Sequence, residues 1–139
     1  MGYLRKIWIL TADEAQAGEQ LNVYIAIENP MDYNLYVTPL LYIDGLQFEG
    51  QYDALPPWEY IKNNLFMTEY GLCIVDHWKF TFTMPNKPVT VKCDVWMEQD
   101  YLGIPWHLDI SAQRSISLKE LPPEFAGFVI ESYAALLTK

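Results

Sequence analysis

The stretch that decides the fold runs from Trp78 to Met97 and reads WKFTFTM, then PNKP, then VTVKCDVWM. Large apolar side chains occupy every second position on both sides of the proline-bounded connection. A period of two places successive side chains on opposite faces of a strand. The stretch therefore predicts two strands, each with one buried and one solvated face. The expected buried residues are Trp78, Phe80, Phe82, Met84, Val89, Val91, Cys93, Val95 and Met97.

Similar alternating segments, separated by turn signals, make up most of the chain. Residues 20–28 alternate most cleanly, Asp44-Gly45 is a hairpin signal, and Pro39 predicts a bulge or an edge position. Further candidate strands lie at 3–10, 34–43, 46–49, 60–67 and 104–118. Seven or eight short strands about ten residues apart, without helices between them, predict an all-β, antiparallel, immunoglobulin-like β-sandwich spanning residues 1–119.

Residues 120–139 predict a C-terminal amphipathic α-helix. Pro122 and Pro123 precede Glu124, and both residue types suit the first turn of a helix. The apolar side chains that follow recur with a helical period: Phe125, Phe128, Val129, Tyr133, Leu136 and Leu137. Because a helix of about fifteen residues is marginal alone in water, its apolar stripe is expected to dock on the sandwich or on another subunit.

Composition and charge limit the partners. The chain of 139 residues has the length of one domain, and its hydrophobic content of 51 % excludes a disordered chain. Eighteen acids against nine bases give a net charge of −9, which repels nucleic acids and anionic membranes but allows a cationic or neutral partner. The apolar run after Lys6 is too short for a signal peptide, and no stretch could span a membrane. We therefore expect the chain in the cytoplasm of the producing cell or in a virion.

Catalytic patterns are weak. In the alternating pattern, His77 precedes the inward-facing Trp78, and His107 lies between Trp106 and Leu108. Because neighbours in a strand face opposite sides, both histidines are expected at the surface. A site that combined them with Asp76 and Asp109 would need two strands adjacent on one face. The chain has neither a Gly-x-Ser-x-Gly turn nor a glycine-rich phosphate loop. The sequence therefore predicts that the protein is not an enzyme.

Metal and cofactor sites are not expected either. Cys73 and Cys93 form no CxxC pair, which disfavours zinc, and Cys93 occupies an inward strand position typical of a buried thiol. A disulfide between the two cysteines stays open, since it requires their strands to lie side by side. Five aspartates could offer oxygen ligands to calcium, but their spacing matches no EF-hand loop: Asp44, Asp53, Asp94, Asp100 and Asp109.

Trp96 is the sharpest candidate for a binding residue. Val95 and Met97 take the inward positions, so Trp96 should face outward between Asp94 and Glu98. An exposed tryptophan usually contacts something. Three alternatives remain: the C-terminal helix or the loop of residues 50–58 covers it, a protein partner covers it, or a ligand such as a glycan binds it. The candidate partner-binding residues are Trp96, Trp58, Tyr60, Tyr101 and Trp106, together with Phe125, Phe128, Tyr133 and Leu137 of the predicted helix.

The segments AGEQLNV (17–23), IEN (27–29) and LYIDG (41–45) resemble the CARDB modules, small prokaryotic sandwiches close to the fibronectin type III and immunoglobulin-like folds. The segment FTFTMP (80–85) before a Val-Thr-Val strand is similar to short sandwich proteins of bacterial viruses and uncultured prokaryotes. The resemblance covers residues 17–118 and implies an architecture used for spacing, adhesion and assembly. We therefore expect a non-enzymatic structural or protein-interaction module, such as an accessory subunit of a virion or of a surface assembly. Its partner would be another protein or a second copy of the chain. The alternative is a carbohydrate-binding module.

Overall fold

The computed structural model describes residues 2–62, 66–73 and 78–120. Eleven strands, one short helix and one 3₁₀ turn occur in these residues. They are β1 (Lys6–Leu10), β2 (Glu14–Ala15), β3 (Gln20–Glu28), β4 (Leu35–Ile43), β5 (Leu46–Glu49), β6 (Asp53–Leu55), α1 (Trp58–Ile61), β7 (Phe66–Thr68), β8 (Gly71–Cys73), β9 (Lys79–Thr83), β10 (Val89–Gln99), the 3₁₀ turn (Asp100–Leu102) and β11 (Ile104–Leu118).

Two sheets form the sandwich. The smaller has the order β1-β3-β9, and the larger has the order β2-β11-β10-β4-β5, with β6 also paired to β4. In immunoglobulin terms β1, β3 and β9 take the places of strands A, B and E, and β11, β10 and β4 those of G, F and C. The prediction of an all-β immunoglobulin-like sandwich is confirmed. The short strands β2, β6 and β8 were not predicted, and β2 pairs with β11 in parallel.

The stretch from Trp78 to Met97 contributes the centre of the core. All nine of its predicted inward residues are buried. Its two strands do not pair with each other, however, because β9 pairs with β3 in the smaller sheet while β10 pairs with β4 and β11 in the larger one. The proline-bounded connection therefore carries the chain from one sheet to the other. Periodicity predicted the faces of these strands but not their neighbours.

The helix α1 and the turn between β7 and β8 pack on the outer face of the smaller sheet. Trp58 of α1 stacks on Trp8 of β1 with ring centroids 5.3 Å apart, and Tyr70 meets Tyr24 edge-on at 6.1 Å. These contacts bury β3 on both faces. The prediction of one strand over residues 60–67 is wrong: α1 ends at Ile61, and only the last part of that range belongs to a strand, β7.

The hairpin between β4 and β5 confirms the signal of Asp44-Gly45. Both residues have positive φ, 50° and 82°, as a type I′ turn requires. Pro39 lies in the middle of β4, at a gap in the pairing on one side of the strand. The residues after it, 40–43, pair with β5, and the residues 35–37 pair with β6. Its carbonyl accepts a hydrogen bond from the Gly50 N–H at 2.7 Å, so its nitrogen faces the same break. β4 is an inner strand of the larger sheet rather than an edge strand, but this break in its pairing means that the proline costs no ladder hydrogen bond.

Gly50→Ala should destabilise the fold. A Cβ at this position would lie 2.5 Å from Cγ and 2.8 Å from the carbonyl oxygen of Pro39, so the backbone must shift. We expect a loss of about 1–3 kcal/mol of unfolding free energy in urea titrations. Gly2→Ala is the control, since the nearest atom to its added Cβ lies 3.4 Å away, at the edge of ordinary contact. Equal stability of the two variants would contradict the prediction.

Cys93 is a free, fully buried thiol, so it forms no disulfide with Cys73. Burial and the neighbouring charge of Asp94 raise the pKa of the Cys93 thiol to about 12. The side chain of Cys73 and the predicted helix beyond Glu120 lie outside the described residues. The division into a sandwich (1–119) and a helix (120–139) therefore stays a prediction. No helix in the described part of the chain is long and apolar enough to cross a membrane.

Candidate functional site

Two stacked tryptophans occupy the outer face of the larger sheet. Trp96 of β10 faces outward because its neighbours Val95 and Met97 are fully buried. Trp106 of β11 lies beside it, with ring centroids 5.9 Å apart and planes inclined by 21°. This contact leaves Trp96 half-buried, whereas Trp106 is 45 % exposed. The ring exposed to solvent is thus mainly that of Trp106.

Two tyrosines extend this surface across the sheet. Tyr36 of β4 stacks on Tyr52, which precedes β6, with ring centroids 6.1 Å apart and planes inclined by 14°. Tyr52 also lies 6.1 Å from Trp106. The four rings of Tyr36, Tyr52, Trp106 and Trp96 therefore form one continuous surface, which we call the aromatic face.

Hydrogen bonds hold Tyr52 in place. Its hydroxyl donates to Oε1 of Glu98 at 2.7 Å, and the preceding carbonyl, that of Gln51, accepts from the indole N–H of Trp78 at 2.8 Å. Partial burial, this hydrogen bond and the charges of Glu98 and Asp100 raise the pKa of Tyr52 to about 12. The hydroxyl therefore stays protonated, and remains a donor to Glu98, throughout the physiological pH range.

A pocket of about 270 Å³ opens at the tyrosine end of the aromatic face. We call it the tyrosine pocket, and its lining residues are Tyr36, Tyr52, Glu98, Gln99, Asp100 and Tyr101. Tyr101 is 88 % exposed on the 3₁₀ turn, which ends at Gly103 in the left-handed conformation, with φ of 75°. The lining contains two carboxylates and no basic residue.

The structure brings together three of the predicted binding residues and separates two. Trp96, Trp106 and Tyr101 lie on or beside the aromatic face. Trp58 and Tyr60 belong to α1, which packs through Trp58 on the smaller sheet; Tyr60 is exposed. Four others lie outside the described residues: Phe125, Phe128, Tyr133 and Leu137.

Sequence reasoning placed Glu98 beside Trp96 but missed Tyr36 and Tyr52 as parts of this surface. Tyr36 had a usable signal, because it alternates with the inward residues Leu35 and Val37 on a predicted strand. Tyr52 had none, since it lies between two short strands with no periodicity around it. One alternative for Trp96 was that the loop of residues 50–58 covers it. This loop does approach the tryptophans, but its contact is between Tyr52 and Trp106.

A β-bulge redirects Asp109 on the neighbouring strand. Val95 pairs with Ile110 and Trp96 pairs with Leu108, so Asp109 is an extra residue without a partner on β10. Such a bulge lets a side chain leave the regular alternation. The carboxylate of Asp109 is fully buried as a result.

Asp109 holds the start of the chain. Its oxygens accept hydrogen bonds from the backbone N–H groups of Tyr3, at 2.8 Å, and Leu4, at 2.7 Å. Nε2 of His107 lies 2.8 Å from Oδ1 of the same carboxylate, and Nδ1 lies 2.7 Å from the carbonyl oxygen of Pro105. We call Tyr3, Leu4, His107 and Asp109 the N-terminal clasp.

The prediction that His107 is a surface residue is wrong. Its side chain is 27 % exposed and turns toward Asp109, while its neighbours Trp106 and Leu108 face outward. The two irregularities of the β10–β11 register explain the error, because they break the alternation on which it rested. His77 and Asp76 lie outside the described residues.

The clasp predicts a pH-dependent contribution to stability. Both ring nitrogens of His107 face acceptors, which suits the imidazolium with two donors. The hydrogen bond to Pro105, followed by the hydrogen bond and charge of Asp109, raises the pKa of His107, although burial opposes the shift. A raised folded pKa gives stability that is fully present below the unfolded value of about 6.5 and is lost as pH rises through the folded value.

His107→Gln should therefore destabilise the protein more at about pH 5.5 than at about pH 8.5. Urea titrations of both proteins at the two pH values measure this difference. An equal loss at both values would show that the charged form of His107 contributes nothing.

A second pocket, of about 420 Å³, opens between the sandwich edges formed by β5 and β9. Its lining is mainly apolar: Ile43, Asp44, Leu46, Phe48, Thr81, Phe82, Thr83 and Pro85. Asp44, its one ionisable residue, pairs with Lys87 at 2.8 Å. In the described part of the chain no group of three or more His, Cys, Asp or Glu side chains could hold a metal ion.

Comparisons with known proteins add little to this geometry. No protein-family model and no curated protein matches the sequence. One similar solved structure is the solution NMR structure of a conjugate transposon protein (residues 27–141) from Bacteroides vulgatus. It is 13 % identical, covers 86 % of this chain and 88 % of its own, and has a TM-score of 0.31. Similarity this low carries no argument about function.

Proposed function

We propose that this chain is a non-enzymatic protein-interaction module whose contact surface is the aromatic face with Tyr101 and Leu108. The observation that carries the proposal is the exposed ring surface around Trp106, which is continuous with Tyr101 at 88 % and Leu108 at 46 % exposure. Tryptophan and tyrosine are the residues that most often dominate binding energy at protein interfaces.

The rigidity of the surface supports the proposal. Trp96 and Trp106 stand on adjacent strands of the larger sheet, and Tyr52 is held by Glu98. Side chains that are already ordered lose less conformational entropy on binding. A partner therefore meets rings whose positions the sheet has set.

The use of the polar residues supports a role without catalysis. The carboxylate of Asp109, which the sequence offered as a catalytic partner of His107, accepts the backbone N–H groups of Tyr3 and Leu4. Asp94 likewise accepts a hydrogen bond from Ser111 at 2.7 Å. Both carboxylates thus serve contacts within the sandwich.

Photo-crosslinking tests the proposal. A benzophenone amino acid replaces Tyr101 in one protein and Tyr60 of α1 in another, in cells that naturally produce the chain. We expect a discrete protein adduct from position 101, lost when Trp106→Ala is added, and none from position 60. An adduct that persists with Trp106→Ala, or that forms equally from both positions, would contradict the proposal.

Self-association and the predicted helix are tested separately. Two copies each carrying a net charge of −9 repel one another, so the charge favours a different chain as partner. Static light scattering compares the full chain with one ending at Lys119. If both proteins are equally soluble monomers, neither the predicted helix nor self-association is part of the function.

Carbohydrate binding is the second candidate. Trp106 and Tyr101 present exposed rings near the carboxylates of Glu98 and Asp100, an arrangement that could stack on a sugar ring and accept its hydroxyl hydrogens. A glycan array on the wild type and Trp106→Ala tests this, with Trp58→Ala of α1, which packs on the smaller sheet, as control. No binding, or binding that Trp106→Ala leaves intact, would exclude it.

The setting of the module is part of the proposal. The resemblance to CARDB modules and to short sandwich proteins of bacterial viruses suits an accessory subunit of a virion or of a surface assembly. In either setting a small rigid sandwich with one aromatic face would attach to a larger partner.

A further inference from the structure

We propose that the tyrosine pocket receives an arginine side chain from a basic protein partner. This inference rests on the proposed function, because it names the chemistry of the partner that the aromatic face would bind.

The size of the pocket suits a single side chain. Its volume of about 270 Å³ lies below the usual range for drug-sized ligands, about 300–1,000 Å³. Three of its six lining residues are tyrosines, so aromatic rings form much of the wall. One long side chain can fill such a pocket while the rest of its protein covers Trp106.

The charge of the pocket selects a cation. Tyr52 engages only Oε1 of Glu98, and Oε2 accepts no hydrogen bond from the described residues. Asp100 is exposed, and its carboxylate forms no ion pair with the described part of the chain. The pocket therefore offers two carboxylates and no base of its own, within a chain whose net charge of −9 attracts basic partners.

Arginine fits these groups better than lysine. Its planar guanidinium stacks on aromatic rings and donates in a fork to carboxylates, whereas an ammonium does neither. Tyr36 and Tyr52 are 6.1 Å apart, less than the about 7 Å needed to insert a planar group between two rings at ordinary contact distances. The guanidinium would therefore stack on an outer face of this ring pair and reach Glu98 or Asp100 with its edge.

The test uses a capped Gly-Arg-Gly peptide as the probe, followed by NMR of the tyrosine rings and the amides of residues 98–101. The matched peptides carry citrulline, which keeps the shape without the charge, or lysine. We expect saturable shifts with arginine and binding about tenfold weaker with citrulline, with lysine between them.

Variants locate the probe. Glu98→Gln and Tyr52→Ala should each weaken binding about fivefold or more. Glu14→Gln removes the same charge from an exposed residue of β2, at the opposite edge of the sheet, and should leave binding unchanged. Tyr52→Phe retains the ring, so a loss with Tyr52→Ala but not with Tyr52→Phe assigns the effect to stacking rather than to misfolding.

Equal binding of the arginine and citrulline peptides, or equal weakening by Glu98→Gln and Glu14→Gln, would overturn the inference. A second outcome would overturn the inference alone. If crosslinks from position 101 depend on Trp106 but the arginine peptide causes no NMR shifts, the proposed function remains supported. Specific arginine binding without such crosslinks would support the pocket and refute the wider function.

Discussion

Trp78→Ala should lower the free energy of unfolding by about 3–5 kcal/mol, the range for truncating a buried tryptophan. Trp78 is 1 % exposed and is among the largest fully buried side chains of the core. Its backbone carbonyl accepts from the Ile25 N–H at 3.0 Å, which ties it to β3. Truncation leaves a cavity between the sheets and also leaves the carbonyl of Gln51 without the indole donor. Urea unfolding followed by far-ultraviolet circular dichroism measures the loss.

Trp78→Phe separates the two effects. Phenylalanine fills most of the space but cannot donate to Gln51, the residue before Tyr52. We expect a smaller loss of stability but broader ring resonances for Tyr52, because its anchor is gone. Sharp, unchanged resonances would show that the hydrogen bond to Glu98 alone positions Tyr52.

Asp109→Ala should cost about 3 kcal/mol, because it removes a buried carboxylate and leaves backbone donors without an acceptor. The groups concerned are the N–H groups of Tyr3 and Leu4 and Nε2 of His107. Beyond the global loss, amide hydrogen exchange at Tyr3 and Leu4 should accelerate, since the clasp is what holds them. Urea titration and exchange measured by NMR provide the two readings.

Asp32→Ala is the matched control for Asp109→Ala. Asp32 is exposed, and no described side chain or backbone group hydrogen-bonds its carboxylate. It should change stability by less than about 0.5 kcal/mol and leave exchange at Tyr3 unaltered. If Asp109→Ala behaved like this control, the clasp would contribute nothing to the fold.

Local patterns predicted the class of fold and many of its strands. The bounds of β3 and β5 agree with the alternation in residues 20–28 and 46–49, and the Asp44-Gly45 turn between β4 and β5 was anticipated. These features depend on neighbours in the sequence, which explains why periodicity and turn chemistry reveal them. The strand prediction over residues 60–67 failed at α1 because aromatic and β-branched residues there, Tyr60 and Ile61, also favour strands.

The candidate site was predictable only in part. The outward position of Trp96 follows from its buried neighbours, and Trp106 and Tyr101 were recognised as candidates from residue type. The tyrosine pocket was not predicted, because Tyr36, Tyr52 and Glu98 come from three separate segments of the chain. The clasp was not predicted either, because the bulge at Asp109 breaks the alternation that sequence reasoning follows.

The sequence by itself determined that this chain forms a sandwich of strands with one buried and one solvated face, and that its surface is acidic. Side-chain alternation and charge are local properties, so the sequence alone reveals them. Only the tertiary structure decided that β9 and β10 lie in different sheets, that Trp58 packs on the smaller sheet, and that Tyr52 reaches Trp106. Strand pairing, bulges and contacts across loops depend on residues far apart in the chain. Their energies arise when distant segments meet, and no periodicity within one segment encodes them.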